Sequence, residues 1–179
     1  MASRGTATVL VVDDDEAVAD VYARQLSDRY AVETAYDGET ALEKVTEDVD
    51  VVLLDRRMHR LSGREVLETT RERGLTCGVV MVTAADPGFD IVDMGFDDYL
   101  LKPVERARLE ETVAETLASL GEREAVREYH SVASKVAALR VKKNAAELEG
   151  NDEYERLLDR LRELESEVDL EGVETQVDV

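Results

Sequence analysis

Five short apolar runs punctuate the first 120 residues, each followed by a longer stretch in which apolar positions recur at helical spacing. The runs are Ala7 to Val12, Ala31 to Ala35, Val51 to Leu54, Val79 to Val82 and Tyr99 to Leu101. The helical stretches lie near Glu16–Ser27, Gly38–Glu47, Gly63–Arg73, Pro87–Met94 and from Val104 onward. Near-continuous apolar strands alternating with amphipathic helices predict a parallel sheet covered on both faces. Local signals sharpen two of the starts. Ser62 and Glu65 have the spacing of a capping box, and Asp86-Pro87 sets a cap residue before a proline at the first helical position.

After about residue 121 the pattern changes to continuous helix without strand runs or proline. Val126, Tyr129, Ala133 and Val136 recur at spacings of three and four. Asn144 to Gly150 is a polar break, and Asn151 suits the cap of a second helix. In that helix Tyr154, Leu157, Leu161, Leu164 and Val168 form a narrow seam of coiled-coil type. The prediction is a doubly wound α/β domain over residues 1–120 and a C-terminal α-helical hairpin over 121–179, frayed from Gly172. Each hairpin helix carries one apolar stripe, so the pair needs something to cover its open side.

Composition adds three constraints. Hydrophobic residues are 44% and aromatic ones 4% with no Trp, so aliphatic side chains must fill the core. One cysteine, Cys77, excludes an internal disulfide framework and a cysteine-rich zinc site, and reads as a small core residue. Forty-two acidic against 22 basic residues give a net charge of −20, which repels nucleic-acid phosphates. Periodic apolar content argues against disorder as the cause of that charge. High salt explains it better, because at molar ionic strength the screening length falls to about 3 Å and self-repulsion is muted; the basic set, 17 Arg against 5 Lys, fits a salt-loving host. No long apolar run suggests a membrane span and the first residues lack the order of a signal peptide, so a soluble, cytoplasmic protein is expected.

The strand ends carry the chemistry. Asp13-Asp14-Asp15 closes the first run, Asp55 the third, Thr83 the fourth, and Lys102-Pro103 the fifth. In a parallel sheet these positions emerge at one edge. Asp13, Asp14 and Asp55 would crowd like charges, raising their pKa values unless a cation neutralises them. Hard oxygen donors with room for water favour Mg²⁺. With Thr83 as a hydroxyl donor and Lys102 as an ammonium, the set suits a phosphoryl group developing on a carboxylate nucleophile.

The motifs VLVVDDDE (9–16), LLDRRM (53–58), VVMVTA (79–84) and DDYLLKPV (97–104) resemble, in order, those of the receiver domain of two-component response regulators. That resemblance implies a flavodoxin-like, doubly wound five-stranded parallel sheet of order 2-1-3-4-5. It implies Asp55 as phosphoacceptor for a sensor histidine kinase, Asp13 and Asp14 with the main-chain carbonyl of Arg57 as Mg²⁺ ligands, and Thr83 and Lys102 as catalytic helpers. Thr83 is also the switch hydroxyl, Tyr99 the switch aromatic, and the Lys102–Pro103 bond is expected cis. Such a protein is not an enzyme beyond adding and removing its own phosphoryl group. The family's usual proline after the third-loop methionine is replaced by His59; His59 and His130 read as solvated side chains rather than relay residues.

The segment YHSVASKVAALRVKKNAAELEGNDEYERLLDRL (129–161) resembles the HalX domain found behind receivers in halophilic archaea. With 9 basic and 16 acidic residues from 121 onward and no helix-turn-helix pattern, direct DNA contact is disfavoured. Output to transcription through an unidentified protein target is expected instead. A homodimer could form through the fourth-helix, fifth-strand and fifth-helix face or through the hairpin, with Asp97 pairing to Arg106 or Arg108. Arg140, Lys142 and Lys143 read as a solvated helix end. Two alternatives stand beside this reading. One is a phosphate-independent interaction module. The other is a haloacid-dehalogenase-type phosphohydrolase using the Asp-x-Asp of 13–15 with Thr83 and Asp97-Asp98, although its lysine should precede the acidic pair and Asp55 would be idle.

Overall fold

The computed structural model describes residues 5–122 and 124–170, without the side chains of 169 and 170; the expected fraying from Gly172 lies outside that range. Five parallel strands, β1 (Thr8–Val12), β2 (Ala31–Ala35), β3 (Val51–Leu54), β4 (Gly78–Thr83) and β5 (Asp98–Leu101), form one sheet ordered β2-β1-β3-β4-β5. This is the topology expected from the sequence. β1, β3 and β4 are buried throughout but for the partly exposed Thr8, as their unbroken apolar runs require.

Alternation along the strands divides the core in two. Val9, Val11, Val51, Leu53, Val80 and Val82 pack with Ala19, Tyr22 and Leu26 of α1 (Glu16–Leu26) and Leu109 and Val113 of α4 (Arg106–Ser119). The opposite face collects Leu10, Val12, Val52, Leu54, Val79 and Met81. It meets α2 (Gly38–Lys44) and α3 (Gly63–Glu72). Ser62 caps α3 in the capping box foreseen from its spacing to Glu65.

Between β4 and β5 the structure departs from expectation. Instead of an α-helix over Pro87–Met94 there is a five-residue 3-10 turn, Phe89–Asp93, preceded by Gly88, which supplies no side-chain cap. Asp86 is engaged elsewhere, in an ion pair with Lys142. So short a turn cannot cover β4 and β5. The vacated space is filled by α5 (Glu124–Lys142), whose Val132, Val136 and Leu139 join the cluster of Ile91, Met94, Phe96 and Tyr99.

The hairpin is therefore closed by the sheet. Of the expected stripe of α5, Val126 and Val136 are buried and Tyr129 and Ala133 partly so; Val132, Lys135, Ala138 and Leu139 are buried beside it, and Val132, Val136 and Leu139 join the α/β core. A short helix, α6 (Ala145–Leu148), occupies the expected polar break because Asn144 and Glu147 form a second capping box. Asn151 accepts from the Tyr154 amide and starts α7 (Asp152–Leu170). Pairing of Glu128 with Arg160 and of Arg140 with Tyr154 shows that α5 and α7 run antiparallel. The seam residues Tyr154, Leu157, Leu164 and Val168 are buried, with Leu161 partly so. Among the described residues no helix is long and apolar enough to cross a membrane.

Candidate functional site

The sheet's hydrogen-bond ladder runs one step past the strands and brings the site together. Val12 pairs with Leu54 and Thr83 with Leu101. Beyond them the Asp55 amide donates to the Val12 carbonyl (2.9 Å) and the Lys102 amide to that of Thr83 (2.9 Å). Asp13, Asp55, Thr83 and Lys102 thus stand at one edge because the residues before them are in register.

Carboxylate oxygens of Asp13, Asp14 and Asp55 lie within 4.8 Å of one another. Asp13 and Asp55 are buried and Asp14 partly exposed. Burial pushes the Asp13 carboxyl above its ordinary range, against the opposing pull of Lys102 and the Asp15 amide. The Lys102 ammonium hydrogen-bonds Asp13 and stands 3.6 Å from Asp55 Oδ2. Burial alone would lower its pKa, but the Asp13 hydrogen bond and the charges of Asp55 and Asp13 raise it, so the site holds a firmly cationic lysine. One ammonium against three carboxylates leaves unbalanced negative charge among hard oxygen donors, and Mg²⁺ fits that donor set.

The third aspartate of the triplet has another task. Asp15 Oδ1 accepts from the amides of Ala17 (3.1 Å) and Val18 (3.3 Å), capping α1. It is not free to serve the Asp-x-Asp pair a phosphohydrolase would need. Thr83 is buried, and its Oγ1 accepts from the Ala85 amide at 3.1 Å. Tyr99 is buried too, its hydroxyl donating to the Ala85 carbonyl at 2.8 Å. Burial raises the Tyr99 phenol, so it stays a donor. The Arg57 amide approaches Asp55 Oδ1 at 3.5 Å, which places that loop against the carboxylate. The Lys102–Pro103 peptide is cis, as expected.

Some residues escaped the sequence reading. A Cβ at Gly63 would lie 2.1 Å from the Asp55 carbonyl oxygen, so α3 starts directly on the backbone of the site. Arg56 pairs with Asp90 of the 3-10 turn, beside Tyr99. His59 is 96% exposed, as a solvated loop residue should be, yet its Nδ1 lies 2.7 Å from Asp14 Oδ2. Within the chain Asp97, the residue expected to reach Arg106 or Arg108 across a dimer face, is engaged elsewhere. It binds Arg71 (3.1 Å), Arg127 (2.8 Å) and the Val79 amide (2.8 Å), because α5 brings Arg127 over the β4–β5 connection. Arg106 and Arg108 instead meet Asp28 and Glu110, and Glu111. Cys77 is buried, and burial raises its thiol. Arg140, Lys142 and Lys143 are not merely solvated: each has a partner, in Tyr154, Asp86 and Glu147.

Comparison with known proteins agrees with this geometry. A family model of the response regulator receiver domain matches residues 9–114, and one of the HalX domain matches residues 120–176. A protein of Haloferax volcanii that carries the name of a transcriptional regulator is 54% identical over 132 residues, 73% of this chain and 23% of that protein. The response regulator MprA of Mycobacterium ulcerans is 43% identical over 117 residues, 63% of this chain and 49% of its own. Among solved structures, a CheY-like receiver domain from Methanospirillum hungatei JF-1 superposes with a TM-score of 0.60 at 27% identity, covering 65% of this chain and 97% of that one. The chain spans only about a quarter to half the length of these curated relatives.

Proposed function

Because the chain belongs to the response regulator receiver family and continues into a HalX domain, we propose that Asp55 accepts a phosphoryl group from a sensor histidine kinase. The observation that supports this best is the convergence of Asp13, Asp14 and Asp55 within 4.8 Å, with Lys102 held between Asp13 and Asp55. In the proposed division, residues 1–120 receive the signal and residues 121–179 pass it on, to transcription through a protein target.

In the transfer, an Asp55 carboxylate oxygen attacks the phosphorus of a phosphohistidine. The P–O bond forms as the P–N bond breaks, and the departing imidazole keeps its electron pair and takes a proton from solvent. Lys102 swings its charge from Asp13 toward the phosphoryl oxygens, and the Thr83 hydroxyl donates to another of them. Asp13, Asp14, Asp55 and the Arg57 carbonyl would hold Mg²⁺, which when bound neutralises charge shared by carboxylates and phosphoryl group. Gly63 keeps α3 tight against Asp55 so that the nucleophile does not drift. The test is incorporation of label from acetyl phosphate with Mg²⁺. Asp55→Asn is expected to abolish it; undiminished label in that variant, cleavable by alkali or hydroxylamine as an acyl phosphate is, rejects the assignment.

A further inference from the structure

The seat of α5 on the α/β domain is open along one side. Between the end of α3, the 3-10 turn, the loop into β5 and the helices α5 and α7 lies a cleft of about 650 Å³, within the range of small-molecule sites. Its inner wall carries four cations, Arg71, Arg127, Lys135 and Arg160, against two carboxylates, Asp97 and Glu128. Arg156 and the carboxylates of Asp93 and Glu124 are exposed at its margin. In a chain with 42 acidic and 22 basic residues, such an inward excess of cations needs a cause. Both inner carboxylates are already engaged, Asp97 by Arg71 and Arg127 and Glu128 by Arg160.

Lys135 has no such partner. It is 7% exposed, its ammonium donates to the Val92 carbonyl at 3.0 Å and lies 5.2 Å from the Phe96 ring centroid, and no carboxylate of the described residues is within ion-pair distance. Burial lowers its pKa, against the more distant pull of Asp93, Glu128 and Asp97. A buried cation is ordinarily paired, because an unpaired one bears its whole desolvation cost. Two of its three ammonium protons remain for a further acceptor. Arg127 adds Nη1, since its Nε and Nη2 hold Asp97 and the Cys77 carbonyl. Arg156 makes no ion pair among the described residues. Val92, Val132 and Leu157 line the same cleft, so unused donors and an apolar wall share one space.

We propose that this cleft binds a small organic oxyanion, a phosphate or carboxylate borne on an apolar ring. Lys135, Arg127 and Arg156 take the charged end, and Val92, Val132 and Leu157 the ring. A bare inorganic ion would leave the apolar wall in water and most of the space unfilled. In molar salt its pairing would also be screened, whereas burial of a ring is not. One wall of the cleft belongs to the α/β domain and another to the hairpin, so the occupant holds the two parts together. The site is separate from Asp55 and does not depend on its phosphorylation.

The test titrates the full chain, in chelator and at fixed high salt, with phenyl phosphate and with phenylacetate, and follows amide NMR shifts. Saturable shifts are expected in 92–97, 127–135 and 156–160, and the tighter of the two probes identifies the class of anion. Inorganic phosphate and benzyl alcohol, each offering one half of a probe, should bind at least about tenfold more weakly. Lys135→Met should weaken the probe by about tenfold or more, the loss of one hydrogen bond to a charged group. Arg156→Gln, at an exposed position, should weaken it by about threefold. Arg162→Gln, which removes an exposed arginine of α7 outside the cleft, should leave affinity unchanged. Absence of saturation by either probe up to about 10 mM, shifts confined to 13–14, 55–57 and 83–85, or equal binding of either half-probe overturns the proposal. So does full affinity in both Lys135→Met and Arg156→Gln, or an equal loss in Arg162→Gln, which would mark nonspecific attraction.

Discussion

Lys102→Ala tests whether the carboxylates at the strand ends form one electrostatic unit. The lysine is the cation facing two buried carboxylates, with side-chain exposures of 4% for Asp13 and 9% for Asp55. Removing one partner of a buried pair costs about 3–5 kcal/mol, because the remaining charge is stranded. Relief of the lysine's own desolvation and entry of water favour the lower end, about 3 kcal/mol. For a chain of this length that lowers Tm by about 6–12 °C. The pH dependence has a definite sign. Asp13 already titrates above its ordinary 3.8, and loss of Lys102 removes two influences that hold it down. The folded variant then binds a proton more readily than the unfolded chain, so its stability rises as pH falls through the elevated folded value toward 3.8. Lys102 itself is raised above 10.5, so its contribution is fully present at neutral pH and disappears only as pH climbs through its folded value. The deficit should therefore be largest near neutrality and shrink toward about pH 4. Mg²⁺ at one hundred times the variant's Kd should stabilise the variant by about 2.7 kcal/mol, and at the same concentration should stabilise the parent by less, because Lys102 there competes with the ion for Asp13 and Asp55. Thermal unfolding followed by circular dichroism, in chelator and in Mg²⁺ at fixed high salt, measures all three. A loss below about 1 kcal/mol, or one indifferent to acid, would show that Lys102 is not the counter-ion of this cluster.

Three further outcomes follow from the packing. Gly63→Ala should destabilise by at least about 2 kcal/mol in urea unfolding, since its Cβ would strike the Asp55–Arg56 backbone; Gly74→Ala, with open space but a φ of 74°, should cost only about 1 kcal/mol. Asp97→Ala should cost about 3 kcal/mol by stranding Arg71, Arg127 and the Val79 amide, whereas Asp97→Asn, which keeps an acceptor for that amide, should cost visibly less. Lys135 is buried with a lowered pKa, so the folded state binds its proton less readily than the unfolded chain, and parent stability should rise with pH between the folded value and 10.5. Lys135→Met should flatten that rise in pH-resolved urea titrations, at no loss of stability near neutrality.

The strands, and the placing of Asp13, Asp55, Thr83 and Lys102 at their ends, were legible because each depends on local signals, whereas the order of the strands came only with the resemblance to receiver domains, since no run states which neighbour it pairs with. An apolar run ending in Asp, Thr or Lys places that residue at the edge, whatever the distant chain does. The 3-10 turn was not legible, because Phe89 to Asp93 has the composition of a short amphipathic helix and only the competing presence of α5 decides otherwise. The buried positions of α5 outside the expected stripe were hidden for a related reason. Lys135 lies between Val132 and Leu139, and a lysine there reads as solvent-facing until a carbonyl and the Phe96 ring 5.2 Å away are seen to receive it. Gly63 carried no signal beyond its residue type.

The same seat explains how so acidic a chain keeps its two parts together in concentrated salt. At molar ionic strength exposed ion pairs are screened within about 3 Å, so contacts such as Lys142–Asp86, half open to solvent, should contribute little. The contacts that persist are those that water and ions do not reach. Arg127 and Arg71 share a nearly buried Asp97, Lys135 is enclosed over an aromatic ring, and the apolar cluster around Tyr99 grows stronger as excluded salts favour burial. Basic residues are outnumbered 42 to 22 by acidic ones in this sequence, and α5 places three of them on acceptors of the α/β domain. A hairpin that merely trailed from the domain would have no physical reason to place its cations there.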